Sequence, residues 1–295
     1  MKYTTQDLIN FKPKFEYFIG IDSDGCVFDS MEPKHKECFC PVTIEKWGLA
    51  PISKYARDVW EFVNLYSQDR GCNRFLALLK TFEWLKLHPA VKQRKFQLPE
   101  LTHLKQWVKE ETKLGNPSLE KEIEKTGSEE LKKVMDWSLS INQTVARIVK
   151  GVGPFPLVPE SMARMKEKAD VVVVSSTPAE ALIREWEEHD IAQYVSIIAG
   201  QEMGSKKEHL KYTTEHNYRN GNVLMIGDAP GDMKAAKANN AMFYPIIPGH
   251  EEESWERFAN ETLDLFLAGK YDKKLENSLI DEFNSYLPES PAWRK

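Results

Sequence analysis

From Gly151 onward the chain alternates short apolar runs with amphipathic ones, and few folds accommodate that alternation. Val171 to Val174, Tyr194 to Ile198, Val223 to Ile226 and Met242 to Ile246 suit short buried strands. Ala179 to Glu188, Lys206 to Tyr218 and Asp232 to Ala238 have helical spacing between them. Strand and helix in alternation imply right-handed crossovers, and so a parallel sheet with helices on both faces. Tyr17 to Ile21 supplies one more strand, after a polar lead-in from Met1 to Lys14. The fold class is therefore α/β and Rossmann-like. In such sheets ligands lie beyond the carboxyl ends of the strands, so the residues at those ends are the candidates for function.

The first strand ends in Asp22-Ser23-Asp24-Gly25. Two acids at one strand end repel each other unless a cation or a shared proton holds them, which points to a hard divalent metal, with Mg2+ the first choice. Gly25 supplies the backbone freedom for Asp24 to fold back beside Asp22. An EF-hand calcium loop would need glycine sixth and glutamate twelfth, whereas here Gly25 is fourth and Pro33 twelfth. Taken alone, the motif also reads as a surface turn after a strand.

The second strand end, Ser175-Ser176-Thr177-Pro178-Ala179-Glu180, offers hydroxyls before a helix start. Thr177 as N-cap, Pro178 at the first helical position and Glu180 closing a capping box is one reading, and a phosphate cradle is the other. Gly204-Ser205-Lys206-Lys207 opens a further helix and places an ammonium near the same rim, or on a solvated surface. Val223 to Ile226 runs into Gly227-Asp228-Ala229-Pro230-Gly231-Asp232, two more acids four residues apart, with helix capping by Asp228 as the alternative.

Between about Met31 and Lys150 the spacing is helical, through Tyr55, Val59, Phe62, Val63 and Tyr66, then Phe75, Leu78, Leu79, Phe82 and Leu85, and later a long run from Leu131 to Val149 begun near Thr126 or Ser128. This predicts a helical domain inserted after the first strand. The polar segment from Gly115 to Gly127 reads as a connection. Arg70-Gly71-Cys72-Asn73-Arg74 is the candidate substrate loop, because Arg70 and Arg74 could grip an anion; the alternative is a solvated turn. Trp60, Trp84, Trp107 and Trp137 belong to apolar stripes that read as core, with a pocket lining as the other possibility. After Pro248 comes a helical tail carrying Trp255, Phe258, Leu263, Phe266, Leu279, Phe283 and Tyr286, with His250 a surface or capping residue.

The 295 residues carry a net charge of −5 from 45 acids and 40 bases, mixed along the chain, which argues against non-specific nucleic-acid binding. No segment approaches the ~20 apolar residues of a membrane span, and the N-terminus has no signal-peptide core, so the expectation is a cytoplasmic protein. Cys26, Cys38, Cys40 and Cys72 do not form a disulfide frame. His35, Cys38 and Cys40 lack the second ligand pair that a zinc site requires.

In chain order the acid pair, the hydroxyl, the lysine and the second acid pair resemble the four motifs of the haloacid dehalogenase superfamily of phosphotransferases, over Glu16 to Glu32 and Gly151 to Pro248. The resemblance implies that Asp22 is the nucleophile forming an aspartyl-phosphate and that Asp24 is the general acid and base. It implies Mg2+ held by Asp22, the Asp24 backbone carbonyl and Asp228, with Asp232 supporting them. Phosphoryl oxygens would be bound by Ser175, with Ser176 beside it, and by Lys206 in preference to Lys207. The acid at position 24 implies an oxygen leaving group rather than halide. On this basis residues 1–32 and 151–250 form the core, 33–150 a helical type I cap, larger than the commonest four-helix caps, that closes over the site, and 251–295 a C-terminal helical extension packed on the core.

The implied activity is Mg2+-dependent hydrolysis of a small phosphorylated metabolite, a phosphomonoester. The alternatives are a phosphomutase, a phosphonate-cleaving enzyme using a cap lysine, or a non-catalytic metal-binding regulatory protein of the same fold. The sequence leaves the substrate and the oligomeric state open.

Overall fold

The computed structural model describes residues 3–294 and divides into two compact units. The first comprises the chain up to Met31 together with Val152–Leu287; the second comprises Glu32–Gly151 and the residues from Pro288 onward.

The first unit is built on a five-stranded sheet of β1 (Tyr17–Ile21), β2 (Ala169–Val174), β3 (Ile197–Ala199), β4 (Val223–Gly227) and β5 (Met242–Pro245), in the order β3-β2-β1-β4-β5. Every pairing is parallel. Side chains alternate across it as the pleat requires. Ile19, Ile21, Val171, Val173, Leu224, Ile226 and Tyr244 pack on one face, and Phe18, Val172, Val174, Met225 and Phe243 on the other. Both faces are covered, and each strand is buried along nearly its whole length.

The strand register brings the site residues to one place. Ile21 pairs with Val173 on one side and with Ile226 on the other. The residues just beyond these strands, Asp22, Ser175 and Asp228, therefore emerge at one edge of the sheet. The helix Lys206–Thr214 lies close over β1: a Cβ on Gly20 would stand 2.9 Å from Leu210 Cδ2.

Several elements differ from the sequence reading. The polar lead-in contains a helix, Thr5–Ile9, whose start is fixed by a capping box between Thr4 and Asp7 and whose Leu8 is buried. β3 starts at Ile197, because Ala192–Tyr194 forms a 3₁₀ turn. The helix from Lys206 ends at Thr214 instead of Tyr218, where Glu215 turns extended and His216 takes a positive φ.

The expected tail is a set of helices, Glu251–Arg257, Leu263–Leu267 and Lys273–Tyr286, that finishes the sheet. Edge strands leave backbone groups without strand partners. Here buried Glu276 accepts the Phe243 N–H at 2.8 Å and the Tyr271 hydroxyl donates to the Phe243 carbonyl at 2.7 Å, so side chains cap β5 where a sixth strand would pair. The extension does not stay with the sheet unit to its end: from Pro288 the chain groups with the second unit, where the Trp293 ring lies 5.9 Å from Trp84 and 4.7 Å from His88.

The second unit is helical. Ser53–Asn64, Arg74–Leu87, Thr102–Glu110 and Glu129–Ile148 enclose a core that includes Trp60, Phe82, Leu104, Trp107 and Trp137. The first, third and fourth of the tryptophans singled out in the sequence are thus core, and Trp84 meets Trp293 edge-on. The segment expected to be a connection is the helix Asn116–Thr126. Its signals are those of a helix, with Pro117 in the first turn, Leu119 buried and Gly127 at φ 65° ending it; a single buried leucine gave too narrow an apolar stripe to stand out. Among the described residues no helix is long and apolar enough to cross a membrane.

Replacing Glu276 with alanine leaves the Phe243 N–H buried and unsatisfied. It is expected to lower stability by about 1–3 kcal/mol, while Tyr271→Phe costs about 1 kcal/mol. Urea denaturation measures both, and unchanged midpoints would show that β5 does not depend on this capping.

Candidate active site

At the carboxyl edge of the sheet three buried acids meet one lysine. Asp22 follows β1 directly; its N–H donates to the Ile226 carbonyl of β4 at 3.0 Å, which continues the ladder one residue past the strand. Its Oδ1 accepts the Ser23 N–H at 2.8 Å, and its Oδ2 accepts from Lys206 Nζ at 2.6 Å. The same ammonium donates to Asp232 Oδ1 at 2.6 Å. Asp232 Oδ2 accepts the Ala229 N–H at 3.0 Å, so this acid also caps the helix Pro230–Ala238. Asp228 directly follows β4, and one carboxylate oxygen from each of Asp22, Asp228 and Asp232 lies within 4.8 Å of the others.

Each position has a local cause. Gly25 sits at φ 76°. Around it the Ser23 carbonyl accepts amides from Cys26, Val27 and Phe28, which winds the chain after Asp22 into a tight loop. Gly227 lets Asp232 pack against the backbone, since a Cβ there would come within 2.4 Å of Asp232 Cβ and Cγ. Ser205 and Glu208 form a capping box that begins the next helix at Lys206. Lys206 thereby reaches the acids, whereas Lys207 is exposed.

Three carboxylates and one ammonium leave the cluster short of positive charge. Burial pushes Asp22 up to about 8, against the pull of Lys206 and with Asp232 and Asp228 adding to the rise. Burial opposes the charge on Lys206 too, but Asp22 and Asp232 outweigh it and raise its pKa. A divalent cation taking oxygen ligands fits this donor set. Asp22, Asp228 and Asp232 each offer it one carboxylate oxygen.

Asp24 is half-buried on the loop. Its Oδ1 accepts from Ser30 Oγ at 2.5 Å and its Oδ2 from Thr177 Oγ1 at 2.8 Å. The expected capping role of Thr177 is therefore replaced: Pro178 holds the N-cap position without a side-chain bond, and the Ala179 N–H is taken by Glu202 at 3.0 Å. Ser175 is buried at the end of β2, with Oγ accepting the Thr177 N–H at 3.3 Å, and Ser176 is exposed.

The arginines of the second unit are engaged internally. Arg70 is buried and donates to the Leu65 carbonyl at 2.9 Å. Arg74 donates to Asn142 Oδ1 at 2.7 Å and Ser138 Oγ at 3.1 Å and lies over the Phe39 ring, with burial drawing its pKa down to about 10. A solvent-facing anion grip is not what this geometry provides: Arg70 closes the turn after Ser53–Asn64, and Arg74 joins the helices Arg74–Leu87 and Glu129–Ile148. All four cysteines are free, and His35, Cys38 and Cys40 do not form a metal cluster among the described residues.

Sequence reasoning missed Thr177 and Ser30 as partners of Asp24, and Trp186, whose indole donates to Ser23 Oγ at 3.0 Å. For Ser30 the available signal was a hydroxyl six residues after Asp24. For Trp186 there was none, because its helical spacing is that of a core residue.

The family model for haloacid dehalogenase-like hydrolases matches residues 93–245. The match takes in Ser175, Lys206, Asp228 and Asp232 and leaves Asp22 and Asp24 outside it. No curated protein matches the chain. Among solved structures, a Lactobacillus delbrueckii subsp. bulgaricus protein assigned by prediction as a phosphoglycolate phosphatase is 12% identical, with a TM-score of 0.52 over 86% of this chain and 98% of that one. One from Haemophilus somnus with the same assignment is 14% identical over 78% and 84%, with a TM-score of 0.48. A Thermotoga maritima protein assigned as a beta-phosphoglucomutase is 14% identical over 84% and 99%, with a TM-score of 0.46. The first of these likenesses supports the fold; none reaches the activity.

A methyl group at position 227 cannot coexist with Asp232 as placed. Gly227→Ala is expected to destabilise the protein by about 1–3 kcal/mol through overpacking, measured by thermal unfolding. Wild-type stability in that variant would mean that Asp232 is not held against this backbone.

Proposed function

Because the chain belongs to the haloacid dehalogenase-like hydrolase family, we propose that it hydrolyses a small phosphomonoester through a phosphoryl group carried on Asp22. The observation that carries this reading is the pairing of a buried Asp22, bonded to Lys206 at 2.6 Å, with a second carboxyl two residues on, held by two hydroxyls. A protein that only bound metal would have no use for Asp24 in that position.

In this mechanism a carboxylate oxygen of Asp22 attacks phosphorus while the ester oxygen leaves. Asp24 gives that oxygen a proton, then takes one from the water that hydrolyses the acyl phosphate. Ser30 and Thr177 fix the orientation of the Asp24 carboxyl for both transfers. Lys206 holds the nucleophile and binds phosphoryl oxygens, and the Ser175 hydroxyl binds another. Asp22 and Asp228, with the Asp24 carbonyl, would hold Mg2+, which when bound supplies positive charge against the repulsion between carboxylate and phosphoryl oxygens. Asp232 contributes by keeping Lys206 in place.

Asp22→Asn is expected to abolish turnover of every ester in a phosphomonoester panel while leaving the far-ultraviolet circular dichroism unchanged, and near-wild-type rates would refute the assignment of the nucleophile. Chelation with EDTA is expected to stop wild-type turnover and added Mg2+ to restore it. Asp228→Asn should need at least about tenfold more Mg2+ for half-maximal rate, and an unshifted requirement would remove Asp228 from the metal site.

A further inference from the structure

The loop after β1 is held from outside the family-matched segment. The Trp255 indole N–H donates to the Cys26 carbonyl at 2.7 Å, and both residues are fully buried. Trp255 lies on the helix Glu251–Arg257, beyond the end of the match at residue 245. Its ring meets Phe258 edge-on at 5.5 Å, and Phe258 packs on Tyr244 of β5 at 5.1 Å. The Tyr244 hydroxyl in turn donates to the Ser254 carbonyl at 2.6 Å. The indole is thus fixed by the sheet on one side and grips the loop on the other.

Its grip falls between the two ends of that loop. The Ser23 carbonyl gathers the amides of Cys26, Val27 and Phe28, and the Val27 carbonyl accepts the Phe155 N–H at 2.9 Å. Cys26 is fully buried, and the indole supplies its carbonyl with a donor. Asp24 stands two residues before Cys26, and Ser30, which holds the Asp24 carboxyl, four residues after. We infer that the C-terminal extension sets the geometry of the Asp24 carboxyl through the Trp255 bond to the Cys26 carbonyl, so that Trp255 is a positioning residue for proton transfer. In its catalytic consequence this rests on the phosphomonoesterase reading above; the bond and its effect on the loop do not.

Trp255→Phe keeps most of the ring and removes the donor. Hydrogen exchange at the amides of Cys26, Val27 and Phe28 is expected to rise about tenfold in this variant, with β2 and β4 unchanged; unchanged exchange in the loop overturns the inference. In wild-type protein, where folding of a variant is not at issue, the Trp255 indole N–H is expected to exchange as slowly as those three amides, and free exchange overturns the inference equally. Hydrolysis separates positioning from general damage. Alkyl phosphates need a proton on the departing oxygen and 2,4-dinitrophenyl phosphate does not, so kcat/KM, which reports phosphoryl transfer to Asp22 and not the later water attack that also uses Asp24, is expected to fall about tenfold for the first and less than about threefold for the second. An equal fall for both, or no fall for either, overturns the link to Asp24. Wild-type protein that cleaved neither ester would count against the proposed function, and the exchange measurements would still decide whether Trp255 holds the loop.

Discussion

Everything at the sheet edge depends on Lys206 standing between Asp22 and Asp232. Charged oxygens within 4.8 Å of one another repel by at least roughly 3 kcal/mol per pair at an effective dielectric of about 20, and these are buried. One ammonium, 2.6 Å from an oxygen of each of two acids, makes the cluster tolerable but does not neutralise it. Burial, with Asp232 and Asp228 adding to it, holds Asp22 up against the pull of Lys206, and the cluster is suited to a cation. A protein selected only for stability would have placed apolar side chains here.

The fold carries this arrangement because a parallel sheet brings the carboxyl ends of distant strands together. β1 lies between β2 and β4, so Asp22 is flanked by Ser175 and Asp228 although those residues are far away in sequence. Helix starts supply the rest: Lys206 opens one helix under the Ser205 cap, and Asp232 caps the next while holding that lysine. Gly20 and Gly227 permit the close approaches that bring these helices within reach. Helix packing and site chemistry are set by the same contacts.

Much of this was legible in the residues. The alternation of valine-rich and amphipathic runs pointed to the parallel sheet, and the polar residues after those runs singled out Asp22, Asp228 and Asp232 as candidates, whereas Lys206 was preferred to Lys207 only through the family resemblance. What stayed hidden is long-range pairing of ordinary residue types. Thr177 looked like a helix cap because Pro178 comes next, but its hydroxyl goes to Asp24, across 153 positions of sequence. Arg70 and Arg74 looked like an anion grip because local sequence cannot tell an arginine that faces solvent from one whose guanidinium bonds to groups of its own unit. The Asn116–Thr126 helix was concealed by its charge, since one buried leucine gives almost no periodic signal. Trp255 read only as part of a helical tail; that it is buried and that its indole N–H serves a loop 229 positions away are products of packing alone.

The most direct measurement is a crystal structure grown with Mg2+ and beryllium fluoride, a mimic of a phosphoryl group on a carboxylate. The account predicts fluoride-bound beryllium on a carboxylate oxygen of Asp22, within reach of Lys206 and Ser175, with Mg2+ against Asp22 and Asp228. Beryllium on Asp24, or Mg2+ bound away from the three buried acids, would contradict it.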